Sequence, residues 1–246
     1  MARRHRLSID GLPLHIVQRG NDRQRCFFED SHYSLYLGLM TELARPHGCE
    51  VHAYVLMTNH VHLLLTPQVA GNASRFMKNL AQRYVQSVNR TRQRTGTLWD
   101  GRFKSCLVES ETYALRCYRY IEMNPLRAGM VGDPSHHPWS SFSANALGIP
   151  SLSLVPHPVY QALGRDDRER RAAYCALFDR RDDHDIEDIR SALRTGTPLG
   201  TPPFMAQLAL RGIRVHPGQS GRRPRNRGQT PISVQAAMPR AGISPS

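Results

Sequence analysis

Ala53-Tyr-Val-Leu-Met-Thr-Asn-His-Val-His-Leu-Leu-Leu-Thr66 is the stretch on which the fold turns. It is rich in β-branched and long aliphatic residues, and Met57-Thr-Asn59 interrupts it, so it reads as two strands joined in a hairpin. Along a strand, side chains i and i+2 share a face. His60 and His62 therefore project together, while Val61, Leu63 and Leu65 point the other way, into a core. Two imidazoles roughly 6–7 Å apart at their backbones can share one cation.

Outward from the hairpin, the elements fall in a definite order. Residues 1–11 form a basic arm, and Leu12–Arg19 reads as a first strand ending at the turn Gly20-Asn-Asp. Asp30-Ser31 starts a helix to about Ala44, with Tyr33, Leu37 and Met40 on one side, and Pro46–Gly48 stops it. The second strand spans about Glu50–Leu56 and the third His60–Leu65. A longer helix, Asn72–Asn89, places Ala73, Phe76, Met77, Leu80, Tyr84 and Val88 at core-facing spacing. Leu98–Val108 suits a fourth strand. A helix from Ser110 ends before Asn124-Pro125, because proline disfavours helical geometry in the residue before it. The order β-α-β-β-α-β-α predicts an α+β fold of the ferredoxin-like, split βαβ type, an antiparallel sheet with helices on one face. The other face, carrying the two histidines, is expected to be open.

The domain reading is 1–148 for this unit, 149–215 for a helical extension and 216–246 for a basic tail. Gly148–Pro158 reads as a linker, and the mixed-charge region about Val159–Leu193 as helices with solvated Arg/Asp faces, packing through Ala162, Tyr174, Leu177 and Phe178. The tail is dominated by Gly, Pro, Arg and Ser and is expected to be disordered.

The 246-residue chain carries a formal charge of +13 and a pI near 10.2, which points to a polyanionic partner. Distribution sharpens the point. No acid occurs between Pro67 and Leu98, where Arg75, Lys78, Arg83, Arg90, Arg92 and Arg94 lie, nor from Ala209 to Ser246, which holds seven arginines. No run of 18 apolar residues exists to span a membrane, and no apolar segment follows the basic N-terminus as a signal peptide would require. Five cysteines without a Cys-x-x-Cys pair argue against disulfides or structural zinc and fit a reducing cytoplasm.

The last helix of the first unit brings a third group. At 100° per residue, Tyr113, Cys117, Tyr120 and Asn124 share one face, and Ala114, Tyr118 and Ile121 another, assigned to the core. Tyr113 lies roughly 10 Å along the axis from Tyr120. If the helix end reaches the histidine pair, Tyr120 and the Asn124 amide oxygen approach one cation and Tyr113 does not. Spacing alone leaves Tyr120 a packing residue.

Taken together, His60-Val61-His62, Trp99-Asp-Gly-Arg-Phe-Lys-Ser105, Tyr120-Ile-Glu-Met-Asn-Pro-Leu-Arg-Ala-Gly-Met-Val131 and Pro138-Trp-Ser-Ser-Phe142 resemble the single-tyrosine HUH transposase superfamily. The similarity is greatest to REP-associated tyrosine transposases and covers roughly residues 8–145; the Gly-Arg-Arg-Pro-Arg225 tail also looks like longer members of that group. The resemblance implies His60 and His62 as metal ligands, Asn124 in the place of a third ligand, and Tyr120 as nucleophile. Glu122 receives no role. It further implies Mg²⁺ or Mn²⁺ as cofactor, single-stranded or hairpin DNA as partner, and a monomer or homodimer. The activity implied is cleavage and rejoining of palindromic, REP-like hairpins through a 5′-phosphotyrosine. Candidate phosphate contacts are Arg3, Arg4, Arg6, Arg19, Arg23, Arg75, Lys78, Arg83, Arg102 and Lys104. Two other readings stay open: a non-catalytic nucleic-acid-binding regulator on the same fold, and a histidine-based metallohydrolase without need of the tyrosine.

Overall fold

A computed structural model describes residues 6–179, 183–213 and 215. Arg3, Arg4 and the tail 216–246 lie outside the described residues. The first unit comprises β1 (Leu14–Arg19), α1 (Asp30–Ala44), β2 (Cys49–Met57), β3 (His60–Pro67), α2 (Asn72–Thr91), β4 (Lys104–Leu107) and α3 (Ser110–Glu122). The four strands form one sheet in the order β2-β3-β1-β4, every neighbouring pair antiparallel. This is the α+β architecture that the element order predicts.

β4 is shorter than the Leu98–Val108 strand expected. Gly101 sits at φ 70°, in the left-handed region, and breaks the pleat. The segment before it instead lies alongside the end of β1, with Asn21 N–H donating to Leu98 O and Asp100 N–H to Arg19 O, both at 2.8 Å. Trp99 and Arg102 are thereby placed beside β1 rather than in the ladder.

Both faces of the sheet are buried. On one, Leu14, Ile16, Val61, Leu63 and Leu65 pack against Tyr36 and Met40 of α1 and Phe76, Leu80 and Tyr84 of α2. On the other, Val17, Ala53, Val55, Met57 and Leu64 pack against Cys117, Tyr118 and Ile121 of α3. The histidine face is therefore covered, not open as expected. The physical reason is the unbroken run Leu63-Leu64-Leu65: a strand apolar on both sides must be buried on both.

The rest of the chain completes that second layer. After α3 come α4 (Asn124–Arg127), α5 (Phe142–Asn145), α6 (Pro158–Gln161), α7 (Asp167–Ala176), α8 (Asp183–Thr195) and α9 (Pro202–Leu210). Tyr174 of α7 and Ile189, Ala192 and Leu193 of α8 join the core over α3. Both sheet edges are capped by this later chain, which blunts them against further pairing. At β2, Leu56 N–H donates to Trp139 O at 2.9 Å and Ser141 N–H to Tyr54 O at 3.0 Å. Beside β4, Leu199 N–H donates to Leu107 O at 2.7 Å and Glu109 N–H to Leu199 O at 2.8 Å. Among the described residues no helix is long and apolar enough to cross a membrane.

Candidate active site

His60 and His62 project from β3 toward α3, His62 buried and His60 half-buried, with ring centroids 5.1 Å apart. β3 and β1 pair so that His60 opposes Arg19 and His62 opposes Val17. The last turn of α3 brings the Tyr120 ring to 5.7 Å from His62. α3 stops just beyond, where Pro125 cannot supply a backbone N–H, and the chain resumes helical geometry for one turn as α4. Asn124 at this break donates Nδ2–H to Tyr120 O at 2.8 Å and Ile121 O at 3.3 Å, satisfying carbonyls that the helix end leaves unpaired. Its amide nitrogen so committed, Oδ1 is the atom available to a ligand. His60, His62, Tyr120 and Asn124 line one cavity of about 610 Å³ together with Arg19, Arg23, Arg102 and Lys104. Tyr113 is not in this lining; its ring lies under the Arg116 guanidinium.

Both histidines are held by their Nδ1 atoms. His60 Nδ1 is 2.7 Å from Asn59 Oδ1, which can only accept, so the His60 proton is on Nδ1 and the Nε2 lone pair is free. His62 Nδ1 is 2.9 Å from Nε2 of His15, a fully buried β1 residue whose own Nδ1 has no hydrogen-bond partner. Burial, aided by Arg19, lowers His60 to about 4. His62 is driven well below the usual histidine range by burial, then by His15, His60, Arg19 and Arg127. Burial takes His15 down to about 3. All three are neutral at pH 7, the form in which imidazole binds a cation. Among the described residues no group of three His, Cys, Asp or Glu side chains is arranged to hold a metal. Two neutral imidazoles plus the Asn124 amide oxygen nonetheless make a chemically sound donor set for a divalent ion such as Mn²⁺.

Several functional candidates carry no clear signal in the sequence. Arg127 of α4 places its guanidinium carbon 4.6 Å from the centre of the Tyr120 ring and donates through Nη2 to the Tyr120 carbonyl. Burial lowers Arg127 to about 10, so it stays charged at neutral pH. Arg190 and Arg194 of α8 line the same cavity, although that helix reads in sequence as a solvated face. His15 could be found only through the register of β1 on β3. Glu122, without a role in the sequence reading, is fully buried in the turn that follows Tyr120. It accepts from Ser141 Oγ at 2.5 Å, Asn145 Nδ2 at 2.7 Å and Tyr174 OH at 2.6 Å, tying α3 to α5 and α7. Burial pushes Glu122 up to about 7 against the opposing pull of those three hydrogen bonds.

The predicted basic contacts divide. Arg19, Arg23, Arg102 and Lys104 line the cavity. Arg6 and Lys78 lie in a second concavity, across the sheet. Arg75 and Arg83 are exposed on α2, on the far face of the sheet; Arg75 donates to Asn72 Oδ1, and Arg83 is held by Glu42 at 2.6 and 3.0 Å.

A histidine pair and a tyrosine thus face one basic cavity on the covered side of the sheet. Residues 8–124, just under half of the chain, match the family described as transposase IS200 like. Among solved structures, a REP-associated tyrosine transposase bound to a REP hairpin is 18% identical, with 63% of this chain and 92% of that chain covered at a TM-score of 0.52. At that identity the likeness establishes a shared fold. A transposase-like protein from Deinococcus radiodurans R1 is 24% identical over 49% of this chain and 96% of that one, but its TM-score of 0.34 carries no argument. No curated protein matches the chain.

Proposed function

We propose that the protein cuts and rejoins single-stranded DNA at palindromic, REP-like hairpins through a 5′-phosphotyrosine on Tyr120. The observation that carries this reading is the placement of the Tyr120 ring 5.7 Å from His62 inside an arginine-lined cavity. The basic side chains Arg19, Arg23, Arg102 and Lys104 hold the strand by its phosphates, which positions it without reading sequence. The Tyr120 hydroxyl attacks phosphorus: the Oη–P bond forms, the P–O3′ bond breaks, and the phenolic proton is replaced at the departing 3′ oxygen by the end of the step. Attack by another 3′-OH reverses the reaction, so rejoining needs no external energy source. Arg127 holds positive charge beside the tyrosine as its oxygen loses the proton. A divalent cation, Mg²⁺ or Mn²⁺, held by His60, His62 and Asn124, would neutralise charge developing at the phosphate and the leaving oxygen.

The test is incubation of the protein with a labelled hairpin oligonucleotide and Mn²⁺, followed by denaturing electrophoresis. The expected result is a covalent adduct mapping to Tyr120, with adduct and cleavage both absent in Tyr120→Phe and binding retained. Undiminished cleavage by that variant would overturn the mechanism in favour of a histidine-based hydrolase. Binding without cleavage by the unaltered protein would leave a regulator.

A further inference from the structure

Across the sheet from the candidate active site, between α2 and the loop 96–103, lies a second concavity of about 610 Å³. Its walls are apolar, built from Met77, Val85 and Phe103, and Arg6 lies over the Phe103 ring with its guanidinium carbon 3.8 Å from the centre. Two of its lining residues are nearly inaccessible and incompletely bonded. Among the described residues Gln18, 5% exposed, has no partner for Oε1, and Trp99, 4% exposed, has none for Nε1. An unsatisfied buried donor or acceptor is costly, so an occupant toward which the Gln18 amide can turn is favoured. The last side-chain torsion of glutamine is soft, so the Gln18 amide can turn toward an occupant at small cost.

The occupant must be flat enough to lie against the Arg6 guanidinium that covers Phe103, must present hydrogen-bonding groups at its edge, and must be attached to negative charge that Lys78 and Arg102 can meet. Arg102 supplies the decisive link, because it lines both this concavity and the cavity of Tyr120. A strand whose phosphate rests on Arg102 can pass the loop that precedes β4, with one part at the tyrosine and a neighbouring base on the far face. Aromatic and arginine planes take up unpaired bases in this way, and a carboxamide pairs with a base edge through its donor and acceptor together.

We infer that this concavity binds one unpaired nucleobase of the DNA strand being cut, with Gln18 reading its edge and Arg6, Phe103 and Trp99 forming its stacking and hydrogen-bonding surround. The inference rests on the DNA-cleavage reading above and names the part of the strand that is read.

The experiment uses the full chain in EDTA, so that binding is measured without cleavage. The probe is a labelled DNA hairpin with unpaired flanks, in which each unpaired nucleotide in turn is replaced by an abasic site. In the unaltered protein, one position is expected to show a loss of affinity of about tenfold or more. Gln18→Leu should lose the penalty at that position while still responding normally to loss of the hairpin stem. Ala81→Trp, on α2 in the wall of the concavity, fills it and should do the same if the buried Gln18 variant fails to fold. A penalty of equal size in the unaltered protein and a folded variant, or no position with a penalty, would overturn the inference while leaving Tyr120 chemistry intact. Absence of any hairpin binding would overturn both.

Discussion

His15 Nε2 and His62 Nδ1 lie 2.9 Å apart between the neighbouring strands β1 and β3, both side chains buried. A neutral imidazole has one N–H, so a single proton joins the two rings. For His62 to offer Nε2 to a cation, its own proton must be on Nδ1, and His15 must accept at Nε2. The His15 proton then falls on Nδ1, the atom that has no partner. His15 is in this sense a positioning residue for the candidate metal site. His15→Leu is expected to weaken Mn²⁺ binding roughly ten- to a hundredfold, and His15→Gln, which keeps an acceptor, to weaken it less. Calorimetric titration of the DNA-free protein reads this directly, and three equal affinities would contradict it.

Arg127 stands over the Tyr120 ring at 4.6 Å, and in the proposed mechanism it is the cation set against the attacking oxygen. Its loss removes charge from the transition state more than from the bound strand. Arg127→Met should lower the single-turnover cleavage rate on the order of a hundredfold, with a smaller change in hairpin affinity. Arg127→Lys should fall between, because an ammonium keeps the charge but not the planar fork that also bonds the Tyr120 carbonyl. A variant that loses affinity and rate in equal measure would assign Arg127 to strand binding instead.

Glu122 anchors the tyrosine-bearing turn from behind through Ser141, Asn145 and Tyr174. Glu122→Ala strands three buried donors and should cost about 3 kcal/mol in a urea unfolding experiment, whereas Glu122→Gln keeps one acceptor oxygen and should cost less. The pH dependence follows from the raised position of this carboxyl, about 7 in the fold against 4.5 for an ordinary glutamate. Between those values the native state holds the proton that the unfolded state has released. Stability contributed by the protonated group is therefore complete below about pH 4.5 and is lost as pH rises toward 7. Relative to Glu122→Gln, the unaltered protein should lose stability over that window, by on the order of 3 kcal/mol at most. A difference independent of pH would show that the carboxyl is not displaced.

Arg190 and Arg194 reach the candidate active site from α8, so the later helices contribute to the same cavity as β1, β3 and α3. If both meet phosphate, the double variant Arg190→Gln/Arg194→Gln should bind hairpin DNA more weakly at low salt. The slope of log affinity against log salt should also fall by about two. An unchanged slope would place these arginines outside the DNA path.

Local rules carried much of this protein. Period-two alternation puts His60 and His62 on one side of β3, and period-3.6 spacing puts Tyr120 one turn before Asn124, because both follow from backbone geometry within a few residues. The order of strands and helices, read from the same periodicities and from proline and glycine breaks, predicts the antiparallel α+β sheet. The shortening of β4 was harder to see, since Gly101 is compatible with strand until its φ is known. The run Leu63-Leu64-Leu65 marks a strand buried on both faces, against the open histidine face that strict alternation predicts.

Everything that depends on register or on distant packing was decided only in three dimensions. Which β1 side chain meets His62 depends on how two strands 47 residues apart in sequence slide on each other, and a shift of one residue would exchange His15 for a side chain on the opposite face. Arg190 and Glu122 have in sequence the appearance of solvated helix charges. One reaches the candidate active site and the other is buried, because apolar residues of α7 and α8 find their partners on α3 and not in water. The sequence by itself determined which residues could do the chemistry; the tertiary structure decided which of them are neutral, which are paired and which stand together, because burial and proximity belong to the folded chain alone.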